Sequence, residues 1–247
     1  MKQLLTLAII FFTLTVFGQQ MTSDDWDLQT KTNMRLLPKY GYQQKTEEQK
    51  QLDEKLIKET IKQEKFKGDR TAASNHLISI GMTYLYRGDI KTAMYRFNQA
   101  YLFDSLNTDI YWGYGAVYFT LGNYEKAKQQ YKEGLAISPN NTHLLTDFGT
   151  HYMAQYFPMQ MMKENEFTRN PKELAQNYLD SALIYLNKSY QLDPKDQNTT
   201  FKLSTLYFYN SDCDNSWKYY DECKALGGQP ITEDYTKDLK EKCKRKK

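Results

Sequence analysis

The sequence predicts an all-α solenoid of stacked helix pairs, and three observations carry that prediction. The first is an internal repeat. Between Ile80 and Pro139 every marked position recurs 34 residues later: Gly81 with Gly115, Tyr84 with Tyr118, Gly88 with Gly122, Ala93 with Ala127, Phe97 with Tyr131 and Ser105 with Pro139. The second is what recurs, small residues in fixed phase with large aromatics. The third is punctuation: Gly88 and Gly122 end a first helical stretch in each copy, because glycine accepts the left-handed conformation of a C-terminal cap, and Pro139 cannot continue a second one.

Each marked position has a packing reason. Gly81 and Gly115 fall where the second helix crosses the first, and a missing side chain allows that approach. Ala93 and Ala127 serve the same contact from the second helix, and Tyr84, Tyr118, Phe97 and Tyr131 fill the remaining volume with aromatic area. Gly-x-x-Tyr, then Ala-x-x-x-Phe, then Pro at this period resembles the tetratricopeptide repeat over two full units. The resemblance implies two antiparallel helices per unit, a right-handed superhelix and a concave groove that holds a partner. One pair cannot bury its apolar face alone, so about four units stack, with a capping helix at each end.

Composition narrows the function classes. The 247 residues make one or two domains, 40% of them hydrophobic. With a mean hydropathy of -0.77, the chain is no polytopic membrane protein, and no transmembrane insertion is expected after signal cleavage. A formal charge of +3 is too small to argue for nucleic acid. The 21 tyrosines suit a solenoid with aromatic contact positions.

In chain order, Met1-Lys2 and the apolar run Leu4 to Phe17 read as a signal peptide over residues 1–18, the mature chain starting at Gln19. The run is short for a membrane span, which leaves an uncleaved anchor as the alternative; no cysteine near the junction offers a lipid anchor. Export to the periplasm or outside the cell follows. Residues 19–73 form an N-terminal extension: a polar lead whose strong apolar features are Trp26 and Leu36-Leu37-Pro38, then a charged helix to about Phe66, opened by the capping box Thr46–Gln49. That helix is expected to cap the first unit; the alternative is a partner-binding helix or a self-inhibiting one laid over the groove.

Four units follow at 74–107, 108–141, 142–196 and 197–230. The third starts on schedule with Leu145, Phe148, Gly149 and Tyr152, but Ala182, Leu186 and Pro194 arrive late by 21 residues, which places an insertion near 155–175. The insertion is Met-rich, and Asn170-Pro171 is a cap with Pro at the first helical position, so the second helix of this unit is expected to be lengthened. In the fourth unit Ser204 replaces the crossing glycine, which implies a looser crossing. Residues 231–247 form a charged capping helix with a basic end, read as a solvated tail or, alternatively, a contact for an anionic surface.

Exported cysteines meet an oxidising compartment. Cys213 and Cys223 share one helix and lie about 15 Å apart at about 1.5 Å per residue, beyond a disulfide. Cys213 starts that helix and Cys243 ends the next, antiparallel one, so Cys213–Cys243 is the expected pair and Cys223 a small buried residue.

No catalytic residue, metal site or cofactor is expected: the sequence holds no nucleophile elbow, no His-Glu-x-x-His and no P-loop. His143, Asp147 and His151 share a helix face at intervals of four, with ends too far apart for one ion; they read as polar groove groups, and an enzyme using them is a third reading. By phase, the resemblance puts Ile78, Met82, Trp112, Phe119, His143, Asp147, Thr150, Phe201 and Phe208 in the partner-binding groove. Ile78 and Met82 stand where the family's chaperone-binding members carry the Lys and Asn that clamp a peptide carboxylate, so that clamp is absent. The expected function is a non-catalytic scaffold for a protein or peptide partner in the envelope, with Trp112 as the main apolar anchor. The alternative is a cell-wall or glycan-associated accessory whose Tyr and Trp side chains stack on sugars.

Overall fold

Helix pairs follow one another in register along the computed structural model, which describes residues 21–162 and 170–245. The expected signal segment, part of the insertion and the last two lysines lie outside these residues. Among the described residues there is no strand. Short α1 (Ser23–Thr30) is followed by two 3₁₀ turns, Met34–Leu36 and Pro38–Tyr42, and by α2 (Glu47–Ile61). The pairs are α3 (Arg70–Tyr86) with α4 (Ile90–Phe103), α5 (Asp109–Thr120) with α6 (Tyr124–Ile137), α7 (Thr142–Met161) with α8 (Pro171–Leu192), and α9 (Gln197–Tyr209) with α10 (Cys213–Ala225). Helix α11 (Glu233–Lys242) closes the stack.

The glycine logic is visible at the crossings. A Cβ on Gly81 would lie 2.5 Å from the Phe97 ring, and one on Gly115 would lie 2.2 Å from the Tyr131 ring. Gly113 approaches Phe97 from the other side, so this ring is clasped between two successive first helices. Gly88 and Gly122 have φ of +81° and +73°, as a C-terminal cap requires. At the fourth crossing the extra oxygen of Ser204 is used. Ser204 Oγ donates to the Ser216 carbonyl at 2.8 Å, and Ser216 Oγ returns a bond to the Ser204 carbonyl at 2.9 Å. The looser crossing expected there is thus tied by a reciprocal pair of buried bonds.

The insertion lengthens both helices of unit three. One period beyond Thr120 falls at residue 154, yet α7 runs on to Met161; α8 starts eight residues ahead of the position that matches Tyr124. Asn170 Oδ1 accepts the Glu173 amide, with Pro171 in the first turn. The lengthened pair carries its own core of Met153, Tyr156, Ala175 and Leu179, continuous with Leu203 and Leu206 of unit four.

The first helices of successive units touch one another, α3 on α5, α5 on α7 and α7 on α9, and form the inner layer. The N-terminal lead packs on α4 of the outer layer. Trp26 and Leu36, its two apolar features, are each only 1% exposed. Buried Asn98 pins this lead: its Nδ2 donates to the carbonyls of Arg35 at 2.8 Å and Leu37 at 2.9 Å, while its Oδ1 accepts from Tyr114 Oη at 2.7 Å. Tyr114 Oη in turn accepts the Lys39 amide. Lys39 Nζ reaches Glu133 of α6 at 2.8 Å, and Lys126 of α6 pairs with Asp27 at 2.6 Å. The lead therefore bridges the outer helices of units one and two.

Helix α2 keeps its capping box but ends at Ile61, short of the expected Phe66. Phe66 folds back into a small core with Ala73 and Phe103, which Ile57 and Ile61 cover from α2. That arrangement caps unit one. At the other end, Leu239 of α11 is buried against Phe208, Tyr220 and Cys243, and Cys213 and Cys243 are bonded. Cys223 is free and buried.

Candidate functional site

The inner layer leaves a groove lined by α3, α5, α7 and α9. Its floor at one end holds Ile78, Met82 and Trp112, around a cavity of about 410 Å³. A second hollow, about 390 Å³, lies against Met82, Phe119, Thr150 and Lys202. A third, about 330 Å³, shares Trp112 and His143 with the first and Asp147 with the second, and is bounded also by Asp193 and Asp196. Tyr86 lines all three.

Trp112 is the centre of a polar knot. Its Nε1–H donates to Asp147 Oδ2 at 2.7 Å, and its ring stacks on His143 with centroids 4.5 Å apart and planes 19° apart. His143 Nδ1 lies 3.2 Å from Asp109 Oδ1, and Asn141 Nδ2 donates to the same oxygen at 2.6 Å. The bond to Asp109 holds the His143 imidazole above its usual pKa, against the opposing effect of burial. Burial works against Asp109 as well, but the bonds from His143 and Asn141 hold its carboxyl below the usual range. Asp147 goes the other way: burial pushes its carboxyl up, partly offset by Lys202 and by the Trp112 N–H.

The predicted groove residues divide into three groups. Trp112, Phe119, His143, Asp147 and Thr150 line the groove with part of their surface open. Ile78 and Met82 line it too but are 4% and 7% exposed, so they form floor more than anchor. Phe201 and Phe208 belong to the C-terminal cap: each meets the Tyr235 ring edge-on, and Phe208 is buried beneath α11. Phase alone put them in the groove because it carried no information on where α11 turns back.

Two more expectations change. His151 does not share the groove with His143 and Asp147. It is 1% exposed, among Phe119, Tyr124, Tyr131, Phe148 and Tyr152, because a step of four residues per contact drifts around the helix. The alternative in which the N-terminal helix lies over the groove gives way to α2 packed on α3 and α4, where its Ile57 and Ile61 cover Phe66, Ala73 and Phe103. What the sequence reading missed is Tyr86, one residue before the capping pair and outside the marked phase. Among the described residues no group of three or more His, Cys, Asp or Glu is placed to hold a metal ion.

Residues 108–141 match the family model for the tetratricopeptide repeat. The chain therefore carries a tetratricopeptide repeat at α5 and α6, within a stack of similar helix pairs. A solved thermophilic tetratricopeptide-repeat protein from Thermus thermophilus superposes with a TM-score of 0.54 at 18% identity, over 69% of this chain and 81% of that one. The likeness establishes the fold. PilF from Pseudomonas aeruginosa aligns over 64% of this chain and 78% of its own at 20% identity, with a TM-score of 0.35. No curated protein sequence matches the chain. In this repeat protein the matched unit is α5 with α6, which supplies Trp112 and Phe119 to the groove.

Proposed function

We propose that this repeat protein is a non-catalytic scaffold that holds a segment of a protein partner along its inner groove. One observation carries the reading: among the described residues the inner face stays open across three units, while the N-terminal lead lies on the outer one. Half-open Trp112 and Phe119 offer apolar contact on rigid helices, which is how a preformed groove limits the entropy cost of binding. Export to an oxidising compartment is part of the proposal, supported by the apolar run at Leu4 to Phe17 and by the Cys213–Cys243 bond.

Site-specific photo-crosslinking tests the groove. A crosslinking amino acid in place of Tyr86 is expected to capture a discrete partner from an extract of the source cells. The same group in place of Ile184, exposed on α8, is expected to capture none. Equal capture at both positions, or capture from Ile184 alone, would remove the groove from the mechanism.

A further inference from the structure

We propose that the groove takes a basic side chain, so that the segment it holds presents an arginine or lysine between apolar residues. This rests on the groove reading above and adds the partner's chemistry to it.

The argument starts from charge. The third hollow is bounded by the carboxyl groups of Asp147, Asp193 and Asp196. Asp147 Oδ2 is engaged by Trp112, and among the described residues Oδ1 has no donor. Asp193 gives Oδ1 to the Lys195 amide in the turn before α9. Asp196 caps α9, accepting the Asn198 and Thr199 amides, which disperses part of its charge. On this wall the Lys202 charge acts on Asp147, and Asp109 already engages His143. The formal charge of the whole chain is +3, so an acidic hollow is a local arrangement and not a reflection of composition.

The second observation is aromatic. Tyr86 is 79% exposed, yet it borders every hollow of the groove. Trp112 borders the third hollow too. A guanidinium or ammonium there meets two aromatic rings as well as carboxylates, and the combination favours a cation by more than either part alone. The apolar stem of the same side chain, and its neighbours, fit the other two hollows beside Met82 and Phe119. An acidic segment meets like charge at Asp147 and Asp193, a repulsion that also sets specificity.

The test uses three acetylated tripeptide amides, Leu-Arg-Leu, Leu-Gln-Leu and Leu-Glu-Leu, titrated into the full chain. The readout is the indole N–H resonance of Trp112, assigned by its loss in Trp112→Phe. The Arg peptide is expected to shift that resonance saturably and to bind about tenfold tighter than the Gln peptide, with no saturable shift from the Glu peptide. The preference is expected to shrink as salt rises from about 50 to about 500 mM. In the double variant Asp147→Asn, Asp193→Asn the Arg peptide is expected to fall to the Gln level. The side-chain amide then at position 147 still offers an oxygen to the Trp112 N–H, and an unchanged urea midpoint confirms the fold. Equal binding of the Arg and Gln peptides would overturn the basic preference and leave the groove reading standing. Silence of the Trp112 resonance with all three peptides would overturn both.

Discussion

His151 makes the fold sensitive to acid in a way that can be isolated. Its imidazole is 1% exposed. Gln155 Nε2 lies 2.9 Å from Nε2, which assigns the proton to Nδ1, and Nδ1 has no partner among the described residues. Burial, helped by the nearby Lys128 charge, lowers its pKa from 6.5 to about 4. The folded state therefore prefers neutral histidine, and the unfolded chain takes up the proton first as pH falls. The contribution to stability is complete above about pH 6.5 and is lost as pH falls toward about 4, because there the unfolded state binds more protons. A shift of about 2.5 units corresponds to about 3.4 kcal/mol in full, of which about 2.5 kcal/mol is gone by pH 4.5. Carboxylates elsewhere also respond to acid, so the quantity to measure is a difference. Urea unfolding of the wild type and of His151→Leu is compared at pH 7.5, 6.5, 5.5 and 4.5. The variant should gain about 2–3 kcal/mol relative to the wild type across that range, whatever its absolute stability. A difference that stays constant within about 0.5 kcal/mol would refute the reasoning, and would mean that the imidazole is hydrated or protonated in the folded state.

Three further outcomes are expected. Cys213→Ser with Cys243→Ser opens a loop of sequence separation 30 and should cost about 3–4 kcal/mol in the chain-entropy model, with faster proteolysis of α11 as the local readout. Asn98→Ala leaves the Arg35 and Leu37 carbonyls and the Tyr114 hydroxyl without their partner; a loss of about 2–4 kcal/mol is expected in urea, together with protease cleavage between residues 21 and 45. In NMR titrations the three histidines should separate. His143 should titrate above the usual range through its bond to Asp109, His76 below it through burial and the Lys65 charge, and His151 near pH 4.

The same residues show what sequence alone decided. A crossing point between two helices admits almost no side chain, so Gly81, Gly115 and their aromatic partners recur at fixed spacing, and the repeat was readable from one chain. Capping obeys equally local rules: Thr46 with Gln49 and Asn170 with Pro171 marked their helix starts within a few residues. The cysteine pairing was legible because the helix order dictated which ends meet. The groove was half legible. Phase placed Trp112, Phe119, His143, Asp147 and Thr150 on the inner wall, since each repeats the geometry of its unit.

Tertiary structure decided whatever depends on contacts between segments that share no period. The lead over residues 21–45 has no repeat to follow, and its position on the outer face depends on Asn98 and Tyr114 meeting backbone carbonyls and an amide 61 or more residues away. Phe201 and Phe208 left the groove because α11 folds back over them. His151 became core because aromatic rings from α5, α6 and α7 close around it. The acidic hollow is of the same kind. Asp147 comes from α7, Asp193 and Asp196 from the turn before α9, and Tyr86 from the end of α3. The helical period fixes where a side chain sits on its own helix; the superhelix, through the packing of successive units, fixes which charges face one another across the groove.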